Sequence, residues 1–323
     1  MQIISAAEVD SALTYPALAD ALARTFAEGV SAPTRHHHTV ERPDGADTTL
    51  LLMPAWTDFT ARGSSKDGYM GVKIATVSPD NNALGKPAVM AVYLLSDGLT
   101  GEPLALIDGQ ALTLWRTATA SALAARYLAR KDASRMAMLG AGKLAPHLIR
   151  AHAAMRPISH VKIWNRSTEN AEAVAQYLAD DPFEVEVVDE RQAAIADADI
   201  VSSATISEAP LVEGRWLKSG AHVDLVGAFT PKLRESDDEA IRRATLFADT
   251  FDGALKEGGD LAQPLADGLI TRADVVADLA MLARGDHPGR TSDDEITLFK
   301  STGAALEDFA AGILVYETVR GGA

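Results

Sequence analysis

The stretch LGAGKLA, residues 139–145, carries the clearest chemistry in the chain. Gly140, Gly142 and Ala145 form a G-x-G-x-x-A pattern directly after the apolar run MAML and at the head of the helical run LAPHLIRAHAA. A strand that turns sharply into a helix lets backbone N–H groups approach a pyrophosphate, and the helix N-terminus favours its negative charge. Lys143 and Leu144 fall inside the same expected phosphate turn. A bare glycine pattern also occurs in purely structural turns. Here the strand before it, the helix after it and a second strand further on favour a dinucleotide.

That second strand indicates which dinucleotide. An NAD site usually ends it with an acid about 20 residues past the glycines, to accept from the ribose 2′-hydroxyl. This chain reads VKIWNRSTEN instead, with Asn165, Arg166 and Ser167 where the acid would stand. Arg166 is suited to pair with a 2′-phosphate while Asn165 and Ser167 donate hydrogen bonds, so NADPH is the expected cofactor, with NADH possible. The alternative for Arg166 is a solvated loop cation.

Two further charges stand in unexpected places: Lys73 within the apolar strand-like run MGVKIATV, and Arg116 within the Ala-rich helical run that follows Asp108. An unpaired charge there is expensive, so each needs either a bound anion or an internal acid. The run RHHHTV puts His36 and His38 on one face of a strand. No carboxylate or distant histidine at recognisable spacing accompanies them, and no metal site is expected. His147 and His152, in the helix after the glycines, are expected to face solvent or packing.

Composition narrows the partners. The chain has 323 residues, 47% of them apolar, a formal charge of −15, a pI near 4.9 and no cysteine. Disulfides, thiolate metal sites and a cysteine nucleophile are excluded. The acidity disfavours nucleic acid and anionic membrane as partners. No apolar run approaches a membrane span, and no basic leader precedes an apolar stretch, so a cytoplasmic protein is expected.

These groups must be positioned by two kinds of element. The opening SAAEVDSALTYPALADALARTF has helical spacing behind polar caps, so the chain is expected to open with helices. Residues 48–55, 70–77 and 88–95 read as strands, separated by TARGSSKDG and SPDNNALGKP. From MAML onward, strands alternate with helical segments through HVKIW, FEVEVV, DIVSSA, AHVDLVGA and TLFAD. The fold class is therefore α/β, a Rossmann-type doubly wound parallel sheet plus a second α+β domain for substrate and dimerisation. The expected boundaries are 119–295 for the dinucleotide domain and 1–118 with 296–323 for the other.

Several stretches in order, LLLMPAW, GVKIATVSPDNNALGKP, DGQALTLWRTATASALAARYLA, LGAGKLA, IWNRSTENAE, VGAFTPKLRESDDEA and ITLFKSTGAALEDFAA, resemble the ornithine cyclodeaminase/mu-crystallin family across nearly the whole chain. The resemblance implies a homodimer and an active site in the cleft beside the Rossmann domain. It implies that Arg35, Lys73 and Arg116 hold a substrate α-carboxylate, with Lys73 also the catalytic proton source. It further implies that Ser301 and Thr302 line the nicotinamide end, Ser301 toward substrate, and that Arg116, Thr117, Thr205, Val226 and Gly227 border the cofactor. Asp308 occupies a position the family usually fills with Asp, read here as a cap or ion pair.

One departure decides the expected reaction. Where the cyclodeaminases and related archaeal alanine dehydrogenases resemble one another in carrying an Asp, this chain has Phe229 in VGAFTP. A phenyl ring transfers no proton, which argues against cyclodeamination and leaves hydride transfer intact. Phe229 is expected to line a dry pocket for a cyclic imine. The resemblance then implies NADPH-dependent reduction of 1-pyrroline-2-carboxylate to L-proline, and possibly of the six-membered homologue to L-pipecolate. The alternatives are an ornithine cyclodeaminase, an alanine dehydrogenase-like oxidoreductase and a non-enzymatic binding protein.

Overall fold

The computed structural model describes residues 1–59 and 68–322, and the chain divides into two compact units. The expected separator TARGSSKDG falls, except for its last residue, outside the described residues. Unit 1 comprises residues 1–117 and 305–323, and unit 2 residues 118–304.

Unit 1 is built on a six-stranded sheet of β1 (Gln2–Ile4), β2 (His36–Val40), β3 (Thr48–Trp56), β4 (Tyr69–Val77), β5 (Val89–Asp97) and β6 (Pro103–Asp108), in the order β1-β6-β5-β4-β3-β2. Strands β2 to β6 form an antiparallel meander, and β1 adds in parallel to β6. The chain thus opens with a short strand, not a helix. The helix Ala6–Ala12 follows, started by Ser5 and Glu8 in a reciprocal capping box. In the next helix, Tyr15–Glu28, Leu18, Leu22 and Phe26 recur at fourfold spacing and are all buried. Full burial of each large apolar side chain contributes about 1.5–3 kcal/mol.

Alternation sorts the sheet residues by face. Met53, Lys73 and Tyr93 are aligned across β3, β4 and β5, and all three are buried. The neighbours on the opposite face, Leu52, Ile74 and Val92, are likewise aligned, but Ile74 and Val92 are exposed, as are Trp56 and Met70. The helix Ala305–Gly321 packs on the buried face, where Phe309 joins Met53 and Ala55 in one apolar cluster.

Unit 2 is a parallel eight-stranded sheet of β7 (Arg135–Leu139), β8 (His160–Trp164), β9 (Glu184–Val187), β10 (Ile200–Ser203), β11 (His222–Leu225), β12 (Thr245–Ala248), β13 (Val275–Asp278) and β14 (Thr297–Lys300). Its order is β13-β12-β14-β11-β10-β7-β8-β9, and all pairs are parallel. Successive strands run outward from β7 to β8 and β9, then return to its other side at β10, so the order reverses between β7 and β10. Strands β10, β11 and β14 are buried throughout, which explains their unalternating composition.

Two expectations need correction here. Strands β6, β13 and β14 were not foreseen, and β14 lies between β11 and β12 in the parallel sheet, so residues 296–304 belong to unit 2 rather than to the terminal segment. Residue 118 also falls in unit 2, partway along the helix Gly109–Leu128. Among the described residues no helix is long and apolar enough to cross a membrane.

Candidate active site

In unit 2 the glycine turn sits at the carboxyl end of β7, where the strand order reverses. Gly140 has φ 104°, a left-handed region that favours glycine, and a Cβ there would lie 2.8 Å from the carbonyl oxygen of Ala204. Gly142 faces open space, since nothing lies within 4 Å of the position its Cβ would take. The helix Leu144–Met155 begins next, and Lys143 at its N-cap makes no side-chain capping bond. Backbone N–H groups at this N-terminus therefore remain suited to an anion. Ala145 is fully buried, so the third position of the pattern packs helix against sheet.

At the end of β8, Asn165 Nδ2 donates to the Ser167 carbonyl at 2.9 Å, and Ser167 Oγ accepts from Asn170 N–H as the N-cap of the helix Thr168–Tyr177. The turn thus uses one donor of Asn165 and one lone pair of Ser167, while the Ser167 hydroxyl hydrogen stays free to donate outward. Arg166 is exposed between them.

The remaining loops at this sheet edge are tied by carboxylates that sequence reading did not identify. Glu235 Oε1 accepts from Ser203 Oγ at 2.7 Å, Thr205 N–H at 2.7 Å and Thr205 Oγ1 at 2.9 Å; Oε2 accepts from Gly227 N–H at 2.7 Å and Ala228 N–H at 3.1 Å. Burial pushes its pKa up to about 7, Asp260 adds to the rise, and Lys300 and the donors oppose it. Asp260 in turn accepts from the N–H groups of Glu235 and Ser236, both at 2.8 Å, and pairs with the fully buried Lys300 at 3.1 Å.

Asp249, at the end of β12, accepts from the N–H groups of Thr302 and Gly303, each at 2.7 Å, and from Ser301 Oγ at 3.4 Å. Burial raises its pKa, against those bonds. Ser301 and Val226 are buried, and Thr302 nearly so. Gly227 was expected to admit a cofactor to the backbone; its close neighbour is instead the Thr205 backbone, which a Cβ would overlap.

Two further expectations change in unit 2. Phe229 is 46% exposed, with its N–H bonded to the Gly227 carbonyl at 2.9 Å, so the dry aromatic wall is not formed by the unit itself. His152 is wholly buried, 3.2 Å from Asp224, and serves packing rather than solvent.

In unit 1 the two misplaced cations meet. Lys73 Nζ lies 2.7 Å from Asp308 Oδ2; Arg116 Nε lies 3.1 Å from Asp308 Oδ1, and its Nη1 lies 2.7 Å from Glu307 Oε2. Lys73 is 4% and Arg116 6% exposed, and both acids are fully buried on the helix Ala305–Gly321. The expectation that a substrate carboxylate neutralises these cations is thereby corrected: two acids already balance them. Burial and the neighbouring Arg116 bring the Lys73 pKa down to about 8, against the pull of Asp308 and Glu307. Burial would also lower that of Arg116, but Asp308 and Glu307 outweigh it and the pKa is raised.

Tyr93 Oη is buried on the same face, and burial together with the Asp308 charge raises its pKa. Thr117 is buried next to Arg116. Arg35 is half-buried just before β2, whose residues His36, His37 and His38 are exposed. Arg116 and Lys73 are thus brought together with an ammonium of lowered basicity beside a carboxylate, an arrangement able to deliver and recover one proton.

Residues 2–323 match the model of the ornithine cyclodeaminase/mu-crystallin family. A Δ(1)-pyrroline-2-carboxylate reductase of Colwellia psychrerythraea is 35% identical, with 98% of this chain and 99% of the relative covered. Among solved structures, Thermococcus litoralis Δ(1)-pyrroline-2-carboxylate reductase in complex with NADH and L-proline superposes with a TM-score of 0.91 at 31% identity, covering 100% of this chain and 98% of the other. An archaeal alanine dehydrogenase dimer with bound NAD superposes with a TM-score of 0.88 at 29% identity, covering 100% and 97%.

Proposed function

The chain belongs to the ornithine cyclodeaminase/mu-crystallin family, and on that premise we propose that it is an NAD(P)H-dependent imine reductase converting 1-pyrroline-2-carboxylate to L-proline. The six-membered 1-piperideine-2-carboxylate is its second substrate. The observation that carries this reading over cyclodeamination is Phe229: at the end of the β11 loop the chain offers a half-exposed ring and no acid or base.

The cofactor fits the residues present, because Gly142 faces open space and the helix behind it lacks a side-chain cap. Gly140, Gly142 and the N-terminus at Lys143 and Leu144 would hold the pyrophosphate, and Arg166 with Ser167 the 2′-phosphate. NADPH is the preferred donor on that account, although the Thermococcus litoralis relative was obtained with NADH. When bound, the cofactor supplies the hydride that reduces the imine carbon. Thr205, Ser301 and Thr302 border it.

The chain's own residues do the rest. Arg35, with the N–H groups of Arg116 not spent on Glu307 and Asp308, orients the substrate carboxylate. Lys73 gives a proton to the imine nitrogen, so that one hydride on carbon and one proton on nitrogen yield the amino acid. A pKa of about 8 keeps Lys73 largely protonated at neutral pH yet acidic enough to give the proton up. Asp308 holds the ammonium in place and assists its reprotonation. Phe229 gives the imine ring an apolar contact.

The apolar outer face of the unit 1 sheet, with Trp56, Met70, Ile74 and Val92 exposed, supports a homodimer through that face. The test of the function is consumption of reduced cofactor with 1-pyrroline-2-carboxylate alone, set beside pyruvate plus ammonia and beside L-ornithine. Fast NADPH loss with the cyclic imine is expected. Turnover only with pyruvate and ammonia, or ammonia release from ornithine, overturns the reading.

A further inference from the structure

We propose that Glu235 is a positioning residue for dinucleotide binding, a buried carboxylate that clamps together the two loops walling the glycine turn. The inference rests on the dinucleotide reading above and adds a residue that touches neither cofactor nor substrate.

The contacts run in sequence across the carboxyl edge of the sheet. Gly140 abuts the carbonyl of Ala204, and Gly227 abuts the backbone of Thr205, each so closely that only glycine fits. The loops after β7, β10 and β11 therefore stack backbone on backbone at the point where strand order reverses. Nothing in such a stack fixes its spacing unless the N–H groups are held. Glu235 holds them: three backbone N–H groups, those of Thr205, Gly227 and Ala228, and two hydroxyls converge on its two oxygens.

The carboxylate takes, from inside the fold, the place an external anion would take in such a nest of N–H groups. It thereby leaves the first glycine turn as the open anion site, and it fixes the wall against which that turn is set. Its own backbone is secured by Asp260, which Lys300 pairs from beneath. The Glu235 side chain is completely buried, so solvent cannot substitute for a lost acceptor.

A charge-neutral replacement exposes the role. In Glu235→Gln the amide NH2 must face either the Gly227 and Ala228 N–H groups, which cannot turn away, or the Thr205 N–H. One fixed backbone donor at least loses its acceptor, and the Thr205 loop moves against Gly140. NADPH affinity, read from the fluorescence of the bound cofactor, is expected to weaken roughly tenfold, while KM for the imine at saturating NADPH changes less than twofold. A role in stability alone would lower Tm and leave both constants unmoved.

Ser203→Ala is the second variant. Its side chain is buried and removes one hydroxyl donor from Oε1 without touching the glycine turn; the same direction at about two- to threefold is expected. It is the readout if the Gln variant does not fold. Parental NADPH affinity in the folded variants refutes the clamp, as does an equal loss for NADPH and imine. A parent protein that binds neither NADPH nor NADH refutes the dinucleotide reading, and the clamp with it; a parent that binds with unaffected variants refutes the clamp alone.

Discussion

Replacing Asp308 by asparagine removes one of two anions from a buried group of four charges while keeping its shape. The consequence for Lys73 can be worked through. Its pKa of about 8 is the balance of burial and Arg116 pulling it down against Asp308 and Glu307 holding it up. Loss of an opposite charge in contact typically shifts a pKa by about 1–3 units, so the variant's Lys73 titrates near about 6. At about pH 7.5 the protonated fraction then falls from about three quarters to about 3%.

If Lys73 supplies the proton, kcat/KM at about pH 7.5 falls on the order of 25-fold and recovers as the pH is lowered toward about 5.5. The sign follows from the acid role: a depressed ammonium pKa means activity is full below it and declines as the pH rises through it. The assay is NADPH oxidation across pH for parent and variant. Titration of the imine itself is common to both, so only the displacement of the descending limb is read. Breaking a buried ion pair costs about 3–5 kcal/mol, and the comparison is made below the variant's own melting midpoint. A descending limb that stays near pH 8 in the variant refutes Lys73 as the proton source.

Arg166→Ala is expected to lower kcat/KM for NADPH by about 10- to 100-fold, the worth of a charge-assisted hydrogen bond, and to leave NADH nearly unchanged; equal losses for both cofactors contradict a 2′-phosphate contact. Ile74→Glu with Val92→Glu places like charges on aligned strands of the exposed face. Light scattering should then report a monomer where the parent is a dimer, and an unchanged assembly excludes that face as the interface.

The sequence was most legible where chemistry is compressed into few neighbouring residues. The glycine turn and the Asn165–Ser167 segment each lie within one strand end, and their places in the fold follow from local pattern. Lys73 and Arg116 announced themselves as charges among apolar residues, but their acids lie far along the chain, with Glu307 separated from Arg116 by 191 positions. The family position of Asp308 was visible; its pairing with both cations was not.

Strand β14 was missed for a different reason. Its four residues are all buried between two parallel neighbours, so TLFK shows no alternation and reads as the approach to the terminal helix. Glu235 was hidden in LRESDDE, where an acidic run resembles the solvated start of a helix. Only the close approach of Thr205 and Gly227 makes sense of a carboxylate in that run.

The division of the chain also bears on the order of its synthesis. Unit 2 is a continuous stretch, whereas unit 1 joins residues 1–117 to a helix beginning at Ala305. Domains generally form as units while the chain emerges, the earlier one first. Here that order is inverted: the parallel sheet has all its strands before Glu307 and Asp308 leave the ribosome. Until they do, Lys73 and Arg116 have no anions and the inner face of the meander has no terminal helix. A nascent chain stalled before Ala305 therefore carries a finished nucleotide-type domain behind a charged, uncovered sheet, a form that chaperones would be expected to hold.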